Sequence, residues 1–346
     1  MIFKIRKRIE KELPAFVEDL GEKYAIKEIS PVLFGYIKDF VLRPGKRIRP
    51  TLLAISYLGF TGKPAPGLYT TAISLELLHD FMLVHDDIID KSDLRRGSPS
   101  MHQMLNRYLA RYKNLKFNGQ DLAIVAGDVM YAAAIYAFLA IKEEWPRKEE
   151  ALKKFIEAAI YTGSGEFIEL LNGTKSIDDT SKEDIYRIYD FKTAYYTFAT
   201  PLSAGAILAA ASLQQTELLF QYGIYIGRAF QIKDDILGMF GYEKETGKSN
   251  LTDLKESKKT LLVWYAYHNS GRKNKRQIKN ILTRRDTGKS ELMKMRQILT
   301  SCGALEYSKK EIEHYLRKAD TLNKSCRMKA PFKKALSTYS REILKL

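Results

Sequence analysis

The chain has 346 residues, of which 45% are hydrophobic and 28% charged. This composition is typical of globular proteins and excludes collagen-like, disordered and small disulfide-stapled classes. The 57 Lys and Arg residues outnumber the 41 Asp and Glu residues, and the formal net charge of +16 indicates an anionic partner: nucleic acid, a membrane surface or phosphorylated metabolites. Cys302 and Cys326 are too few to staple a fold of this size, so we expect a reducing, cytoplasmic location.

Helical periodicity dominates the chain. Apolar residues recur at steps of three and four through residues 71–90 and 152–159, whereas alternating strand patterns are scarce. Charges interrupt the first twelve positions, which therefore lack the apolar core of a secretory signal, and no linker or repeat divides the chain. We predict an all-α fold of ten or more helices in a single domain, residues 1–346.

The first motif with chemical meaning is a basic loop that enters a helix, Pro44-Gly45-Lys46-Arg47-Ile48-Arg49-Pro50. Gly and Pro fix its turn. Lys46 and Arg49 are three residues apart, so both can face one anion. A lone cation is more often a surface residue, and this motif gains weight only from the acidic motifs that follow.

The sharpest feature is the helical segment that ends in Asp86-Asp87-Ile88-Ile89-Asp90. Asp86 and Asp90 are four residues apart, which places them one turn apart on the same face of a helix. Two such carboxylates on an otherwise apolar helix repel each other unless a cation lies between them, and hard oxygen ligands suit Mg²⁺. The alternative is a frayed, solvated helix end, which the apolar residues before it make less favourable.

Two apolar stretches, Leu122–Ala140 and Ala194–Leu213, are long enough to span a membrane. The composition of the second, rich in Ala, Ser, Thr and Gly, favours helices buried inside a large helical domain, so we expect no transmembrane segment. The Asn-Gly pairs at Asn118 and Asn172 each follow a helical pattern and predict helix ends.

A second acidic pair, Asp234-Asp235, ends another apolar helical run. Two such pairs on helices that could face each other suggest a shared metal cluster, of the kind that substrate phosphates complete. Further cations alternate with these carboxylates, as a site for diphosphates needs. These cations are Arg95, Arg96, Lys192, Lys248 and Lys258.

Two basic regions remain without an assigned role. Residues 271–346 hold 21 Lys and Arg against 7 Asp and Glu, and a solvated helix face is favoured over a polyanion site because no nucleic-acid motif occurs there. We therefore expect no nucleic acid as a partner. The stretch between His102 and Asp128 contains four further cations, namely Arg107, Arg111, Lys113 and Lys116.

The ordered motifs resemble those of the trans-isoprenyl diphosphate synthases, specifically the archaeal-type geranylgeranyl and farnesyl diphosphate synthases. The resemblance covers about residues 45–262. No motif is specific alone, whereas the series in this order is. The series is Gly45–Pro50, His79, Asp86–Asp90, Leu94–Pro99, Ala126–Asp128, Lys192-Thr193, Phe230–Asp235 and Lys258–Leu261.

The resemblance implies a helical bundle around a central cavity, a homodimer, and a transferase of isoprene biosynthesis. It implies that Asp86, Asp90 and Asp234 ligate roughly two or three Mg²⁺ ions, or Mn²⁺, with Asp87 and Asp235 in support. By the same resemblance, isopentenyl diphosphate is held by Lys46, Arg49, His79 and Arg96. The allylic diphosphate is held by Arg95, Lys192, Thr193, Gln231, Lys248 and Lys258.

The implied reaction is the head-to-tail condensation of isopentenyl diphosphate with dimethylallyl, geranyl or farnesyl diphosphate. Magnesium and cations take up the charge of the leaving diphosphate, so that Asp86, Asp90, Lys192 and Asp234 count as catalytic. The double bond of isopentenyl diphosphate attacks the resulting carbocation, and a proton is lost to the departed diphosphate. Long apolar helices exclude water from the cation.

The resemblance also treats Phe81 and Met82 as the floor of the product tunnel. One aromatic followed by Met resembles enzymes with a twenty-carbon product, so geranylgeranyl diphosphate is predicted, with the fifteen-carbon farnesyl product as the alternative. The sequence departs from the family pattern with Gly238 in place of a third Asp in the second acidic motif, as archaeal-type sequences also have, with Glu166 and Glu169 in place of Gln and Asp, and with Leu251 in place of Gly. The stretch from His102 to Asp128 is also longer than is typical of the family.

Three rival interpretations remain. A class I terpene cyclase or head-to-head synthase uses the same metal motif but does not need the basic loop 45–50. A regulatory partner of an active subunit is a second rival, although such chains typically lose an Asp motif. A polyanion-binding protein is the third, based on the basic C-terminal segment.

Overall fold

The structure is a computed structural model that describes residues 1–241, 252–284 and 287–345. The chain divides into two compact units. Unit 1 comprises Met1–Leu152 and Ala204–Ala211, and unit 2 comprises Lys153–Ser203 and Ser212–Leu346. The prediction of a single domain over residues 1–346 stays a prediction.

Unit 1 is built from helices and one short hairpin. The hairpin pairs β1 (Leu94–Arg95) with β2 (Ser98–Pro99) in antiparallel register. Its helices are α1 (Ile2–Lys23), α2 (Ile26–Ile29), α3 (Pro31–Val41), α4 (Ile48–Thr61), α5 (Leu68–Ile89), α6 (Met101–Leu109) and α7 (Gly119–Phe138).

Unit 2 is helical throughout its described residues. Helix α8 (Trp145–Thr174) begins in unit 1 and continues into unit 2, and α10 (Thr200–Leu208) runs back into unit 1. The other elements are a 3₁₀ turn (Ile177–Asp179), α9 (Lys182–Ile188), a π-helix (Tyr189–Ala199), α11 (Leu213–Phe240), α12 (Thr252–Lys255), α13 (Leu261–Asn269), α14 (Arg272–Leu282), α15 (Lys289–Ser301), α16 (Ala304–Ser325) and α17 (Ala330–Leu344). The prediction of an all-α fold with ten or more helices is confirmed.

Helix α5 is the centre of unit 1 and packs most extensively on α7. Of the periodic apolar residues predicted for it, Ala72, Leu75 and Leu78 are fully buried, whereas Met82 and Leu83 are half-buried. At its C-terminal half the contact with α7 depends on Gly127, where a Cβ atom would come within 2.5 Å of His85 Nε2. This close packing fixes the end of α5 that carries the acidic motif.

Helix α11 is the centre of unit 2 and packs on the π-helix and on α16. Two glycines on α11 permit the close approach to the π-helix. A Cβ atom at Gly223 would lie 2.4 Å from the Ala199 backbone, and one at Gly227 would lie 2.4 Å from Ala194. The π-helix is therefore held directly against the helix that carries the second acidic pair.

Two sequence predictions about the apolar stretches are wrong in detail. Residues 194–213 do not form one helix, because the π-helix ends at Ala199, α10 ends at Leu208 and a turn follows. Helix α7 packs on α5 and α6 but is not surrounded on all sides, since Val125 is 54% exposed. Within the described residues, α7 is the one helix whose length and composition would allow it to cross a membrane, which is weak evidence because core helices pass the same test.

One predicted helix end is a helix start. Asn118 is the N-cap of α7, where its side chain accepts hydrogen bonds from the backbone of Gln120 and Asp121. Asp121 in turn accepts from the Asn118 backbone N–H at 2.8 Å, which completes a capping box. The pair at Asn172 lies in the last turn of α8, close to the predicted end.

Candidate active site

The first acidic pair lies where α5 ends. Asp86 and Asp90 each place a carboxylate oxygen within 4.8 Å of the other's, and the Asp90 backbone N–H donates to the Asp86 carbonyl at 2.8 Å. Both residues are half-buried. The C-terminal end of a helix is already partly negative, so two carboxylates here favour a bound cation. Such oxygen donors fit a hard divalent ion.

Arg95 holds this acidic end in place. Its Nε donates to Asp87 Oδ1 at 2.7 Å, and its Nη2 donates to Asp86 Oδ2 at 2.9 Å. Asp87 is fully buried and Arg95 is 7% exposed. Burial alone lowers the pKa of Arg95, but the Asp87 and Asp86 carboxylates outweigh it and hold the pKa above its usual value. Asp87 is thus a buried anchor for Arg95.

The hairpin that delivers Arg95 and Arg96 has a turn with positive φ at both central residues. Arg96 has φ 56° and Gly97 has φ 74°, as a two-residue hairpin turn of this hand requires. Arg43, at the end of α3, donates to the Pro99 carbonyl at 2.9 Å and to Asp39 at 2.9 Å. This arginine ties the hairpin to α3.

The three cations of the basic loop 44–50 differ in their exposure to solvent. Lys46 is exposed, whereas Arg47 is 1% exposed. With φ 48°, Arg47 turns inward, where its Nε donates to Glu10 and its Nη1 donates to Glu76 at 2.7 Å. Burial by itself lowers the pKa of Arg47, but the Glu76 and Glu10 carboxylates raise it above its usual value. Arg47 therefore supports the loop from inside.

Cationic groups surround the middle of α5. Burial, and then the charges of Arg49 and Arg96, lower the pKa of His79 well below its usual value, so its imidazole is neutral at pH 7. Arg96 Nη2 lies 3.3 Å from Asp80 Oδ1. The other guanidinium nitrogen, Arg96 Nη1, is buried and donates to no acceptor within the described part of the chain. This cluster has the charge and the open donor that an anionic ligand needs.

Phe81 and Met82 lie on α5, one turn before the acidic pair, and both are half-buried. The Phe81 ring stacks on Tyr131 of α7 at a centroid distance of 5.0 Å and lies 4.7 Å from the His85 ring. Phe81 is therefore packed between α5 and α7.

In unit 2, Lys192 lies on the π-helix between two carboxylates of α8. Its Nζ is 2.6 Å from Glu166 Oε2 and also contacts Glu169. A Cβ atom at Gly165 would lie 2.7 Å from the Lys192 backbone nitrogen. The glycine thus allows α8 to approach closely enough for the ion pairs to form.

A chain of hydrogen bonds links Thr193 to the second acidic pair. Thr193 Oγ1 donates to Gln231 Oε1 at 2.6 Å, and Gln231 Nε2 donates to Asp235 Oδ1 at 3.0 Å. Tyr189 also donates to Asp235 and accepts from the Leu261 backbone N–H. Burial and the Asp235 carboxylate raise the pKa of Tyr189 well above its usual value, so its hydroxyl stays a donor.

The second acidic pair combines one accessible and one buried aspartate, as Asp86 and Asp87 do. Asp235 is 7% exposed and is held inside by this network, whereas Asp234 is exposed. Lys258 lies 2.8 Å from Glu256. Lys248, the remaining predicted contact of the allylic diphosphate, lies outside the described residues.

Several supporting residues were missed by sequence reasoning. Three of them bind partners that are distant in sequence, so no local spacing predicts their role. These are Arg43, Glu76 and Tyr189. Arg228 is similar, since its Nε and Nη2 donate to the two oxygens of Asp190 at 2.7 and 2.6 Å. A half-buried arginine with a bidentate carboxylate from a distant helix is visible only in the fold.

Comparison with known proteins assigns the chain to a family. The sequence model described as Polyprenyl synthetase matches residues 30–299, well over half of the chain. The protein belongs to this family. The order of its motifs predicted this family, and the prediction of a trans-prenyltransferase is confirmed.

Polyprenyl synthetases of archaea are similar over most of the chain. A geranylfarnesyl diphosphate synthase of Aeropyrum pernix is 34% identical over 293 residues, which are 83% of this chain and 85% of that protein. A geranylgeranyl diphosphate synthase of Sulfolobus acidocaldarius is 31% identical over 315 residues, 90% of each chain.

Among solved structures, geranylgeranyl pyrophosphate synthase from Corynebacterium glutamicum, complexed with isoprenyl diphosphate and magnesium, has a TM-score of 0.90 at 25% identity. The match covers 100% of this chain and 99% of that one. The predicted isoprenoid synthase-like fold is confirmed.

Proposed function

We propose that this polyprenyl synthetase condenses isopentenyl diphosphate with dimethylallyl, geranyl or farnesyl diphosphate, and that its main product is geranylgeranyl diphosphate. The observation that carries this proposal is in unit 1. One helix, α5, carries a carboxylate pair at its end, and a basic cluster with a buried open donor, Arg96 Nη1, lies against its preceding turns. A metal-binding end and an anion-binding flank on one helix suit a reaction between two diphosphates.

The carboxylates would hold the metal. We assign Asp86, Asp90 and Asp234 as ligands of Mg²⁺, because all three are solvent-accessible acids whose neighbours Asp87 and Asp235 are buried anchors. Magnesium, when bound, neutralises charge on the leaving diphosphate. Arg95 keeps the Asp86 carboxylate oriented, so that no reorganisation is needed when the metal arrives.

The basic cluster would hold isopentenyl diphosphate. Lys46, Arg49 and Arg96 supply positive charge, and the neutral His79 supplies a ring N–H. A neutral imidazole between arginines can donate without adding a further charge to a crowded site. Dependence on Lys46 and Arg49 separates this proposal from a cyclase or head-to-head synthase, which acts on allylic diphosphates alone.

The remaining contacts would hold the allylic diphosphate. Unit 2 contributes Lys192 and Thr193 from the π-helix, Gln231 from α11 and Lys258 from the segment after α12, and Lys248 joins them by family resemblance. Thr193 already donates a hydrogen bond to Gln231, and Gln231 donates one to the anchor Asp235. This prior order reduces the entropy cost of binding.

The product length would depend on Phe81 and Met82. The Phe81 ring packs against the rings of Tyr131 and His85, which restrict its motion, so it would act as a fixed wall of the product tunnel. Because replacing Phe81 by Ala removes the wall, products should lengthen by one or more five-carbon units. An unchanged product would contradict this role, and the farnesyl product remains the alternative.

The homodimer is a further proposal. Helix α7 exposes Ile124 and Val125, at 42% and 54%, and α8 separately exposes Ile160 and Phe167, at 61% and 64%. Apolar surface of this kind is typical of faces covered by a second protein chain. Sedimentation should give twice the mass of 39.7 kDa, and a monomer would contradict it. A cytoplasmic location is part of the same proposal.

The direct test separates the function from its rivals. Purified protein is incubated with Mg²⁺ and farnesyl diphosphate, with and without isopentenyl diphosphate. The proposal requires elongation only when both are present, and loss of elongation in Lys46→Ala and Arg49→Ala. Hydrocarbon formed from farnesyl diphosphate alone would identify a cyclase or head-to-head synthase instead.

A further inference from the structure

The connection between α6 and α7 forms an exposed basic and apolar surface that the proposed function does not use. Every residue from 110 to 118 is exposed, and we call this segment the 110–118 loop. It carries three cations and no acid, namely Arg111, Lys113 and Lys116. It also exposes three large apolar side chains, with Tyr112 at 49%, Leu115 at 38% and Phe117 at 46%.

The loop is ordered by its own contacts. Asn114 adopts φ 58°, a left-handed turn conformation that asparagine tolerates. At the loop's end, the Gly119 backbone N–H donates to Asn106 Oδ1 at 2.7 Å. At its start, the Arg111 guanidinium lies 3.8 Å from the centre of the Tyr108 ring. The apolar side chains are therefore displayed on a fixed turn and not buried elsewhere.

The position of the loop follows from the antiparallel pairing of α5 and α7. Near the start of α5, Thr71 donates to the Phe138 carbonyl at the end of α7. Near the end of α5, His85 lies 3.4 Å from the Ile124 carbonyl. The N-terminus of α7, and the 110–118 loop before it, therefore lie at the same end of unit 1 as the acidic pair of α5.

We propose that the 110–118 loop docks the protein onto an anionic lipid bilayer. Three cations on nine residues complement anionic headgroups, and Lys and Arg can extend to them while aromatic and aliphatic side chains enter the interface. A nucleic acid would use the cations and stack on aromatic rings, but it would leave the exposed Leu115 without a role. The combination of charge and exposed apolar residues favours lipid.

Docking would give the proposed reaction an exit for its product. This consequence rests on the proposed function: a prenyl diphosphate released at the metal-binding end of unit 1 would meet the bilayer without crossing water. The docking itself is independent of catalysis, so it is tested without substrate.

The test is co-sedimentation of the full chain with vesicles of phosphatidylglycerol and phosphatidylcholine in equal parts, and with vesicles of phosphatidylcholine alone. Wild-type protein should sediment with the anionic vesicles and should not sediment with the neutral ones. Reversing the three loop cations (R111E, K113E, K116E) should weaken binding at least about tenfold, because each cation near an anionic surface contributes separately. The apolar variant Y112S, L115S, F117S should also bind more weakly, above all at high salt.

The matched control reverses three exposed cations of α14, Arg272→Glu, Lys273→Glu and Arg276→Glu. It changes the net charge by the same amount, and α14 displays no large exposed hydrophobic residue among those described. The control should bind within about twofold of wild type. Equal loss in the control, no binding to anionic vesicles, or loop-dependent binding of single-stranded RNA without vesicle binding would each overturn the proposal. Unchanged thermal unfolding shows that each variant is folded.

Discussion

The two units hold the charges of their candidate site residues in opposite ways. In unit 1 a buried arginine holds carboxylates, since Arg95 bridges Asp86 and Asp87. In unit 2 carboxylates hold a cation, since Lys192 lies between Glu166 and Glu169. An arginine fork in contact with a fully buried aspartate is rigid, whereas a lysine between partly exposed glutamates can exchange partners.

This difference indicates how each unit meets its ligand. Under the proposed function, the carboxylate oxygens of unit 1 are already in position for a metal ion, so binding there would add an ion to an ordered site. Lys192 of unit 2 would have to exchange an internal ion pair for the diphosphate. Unit 1 is therefore expected to tolerate little change, whereas unit 2 can be tuned by substitution.

The largest effect should come from removing a metal ligand in unit 1. Asp86→Ala leaves Asp90 without its partner and Arg95 without one of its acceptors, so we expect elongation to fall by about a thousandfold or more. Steady-state incorporation of labelled isopentenyl diphosphate measures it. Asp19→Ala, an exposed aspartate on α1, is the control and should retain wild-type activity. Residual activity above about a tenth would contradict the assignment.

The next largest effect is on the stability of the protein when one carboxylate-binding arginine is removed from each unit. Arg47 of unit 1 is fully buried, whereas Arg228 of unit 2 is half-buried. Arg47→Ala strands the buried Glu76 carboxylate and should lower the free energy of unfolding by about 3–5 kcal/mol. Arg228→Ala removes a bidentate pair with Asp190 whose side chains are 25% and 16% exposed, so we expect about 1–2 kcal/mol. Urea unfolding of both variants gives the comparison. Equal losses would show that the two units do not differ in this way.

A smaller effect tests the exchange at Lys192. Glu169→Gln removes one of the two carboxylates that compete with the diphosphate, so the KM for the allylic substrate should fall by about threefold to tenfold, with little change in the KM for isopentenyl diphosphate. Glu157→Gln is the control, because Glu157 pairs with Lys154 on the exposed face of the same helix at 2.8 Å. A higher KM in Glu169→Gln would show that Glu169 positions Lys192 instead.

The smallest effect is a pH dependence in unit 1. Burial, and then the Glu76 carboxylate, raise the pKa of Asp80 to about 8. Because the folded state binds this proton more tightly than the unfolded state, the free energy of unfolding contributed by Asp80 falls as pH rises from about 4 to 8. Asp80→Asn removes that slope. Unfolding by urea at pH 7 and pH 8, where His79 is neutral, should show a smaller loss in the variant than in wild type, and equal losses would contradict the raised pKa.

Periodicity and spacing predicted the parts of the site that depend on one helix. The apolar stripe of residues 71–90 fixes α5, and the four-residue spacing of Asp86 and Asp90 places both on one face. The sequence also contains a signal for the start of α7, because Asn118 followed three residues later by Asp121 is a capping-box pattern. The helical pattern before Asn118 nevertheless favours a helix end at the Asn-Gly pair, and this prediction is wrong because Asn118 caps α7.

The rest depends on partners distant in sequence. Lys46, Arg47 and Arg49 look equivalent in a basic loop, and only the inward turn at Arg47 towards Glu76, 29 residues away, separates them. The π-helix at Tyr189–Ala199 has no signal in hydrophobic spacing, because it follows from the close approach of α11 through Gly223 and Gly227. Both features come from tertiary packing, which local patterns do not encode.

The most direct test of the central claim is the size of the product. Purified protein is incubated with isopentenyl diphosphate, dimethylallyl diphosphate and Mg²⁺, and the dephosphorylated alcohols are separated by chain length. We expect geranylgeraniol as the main alcohol, absent when EDTA is added and absent with Asp86→Ala. No elongation with dimethylallyl, geranyl or farnesyl diphosphate would contradict the proposed function.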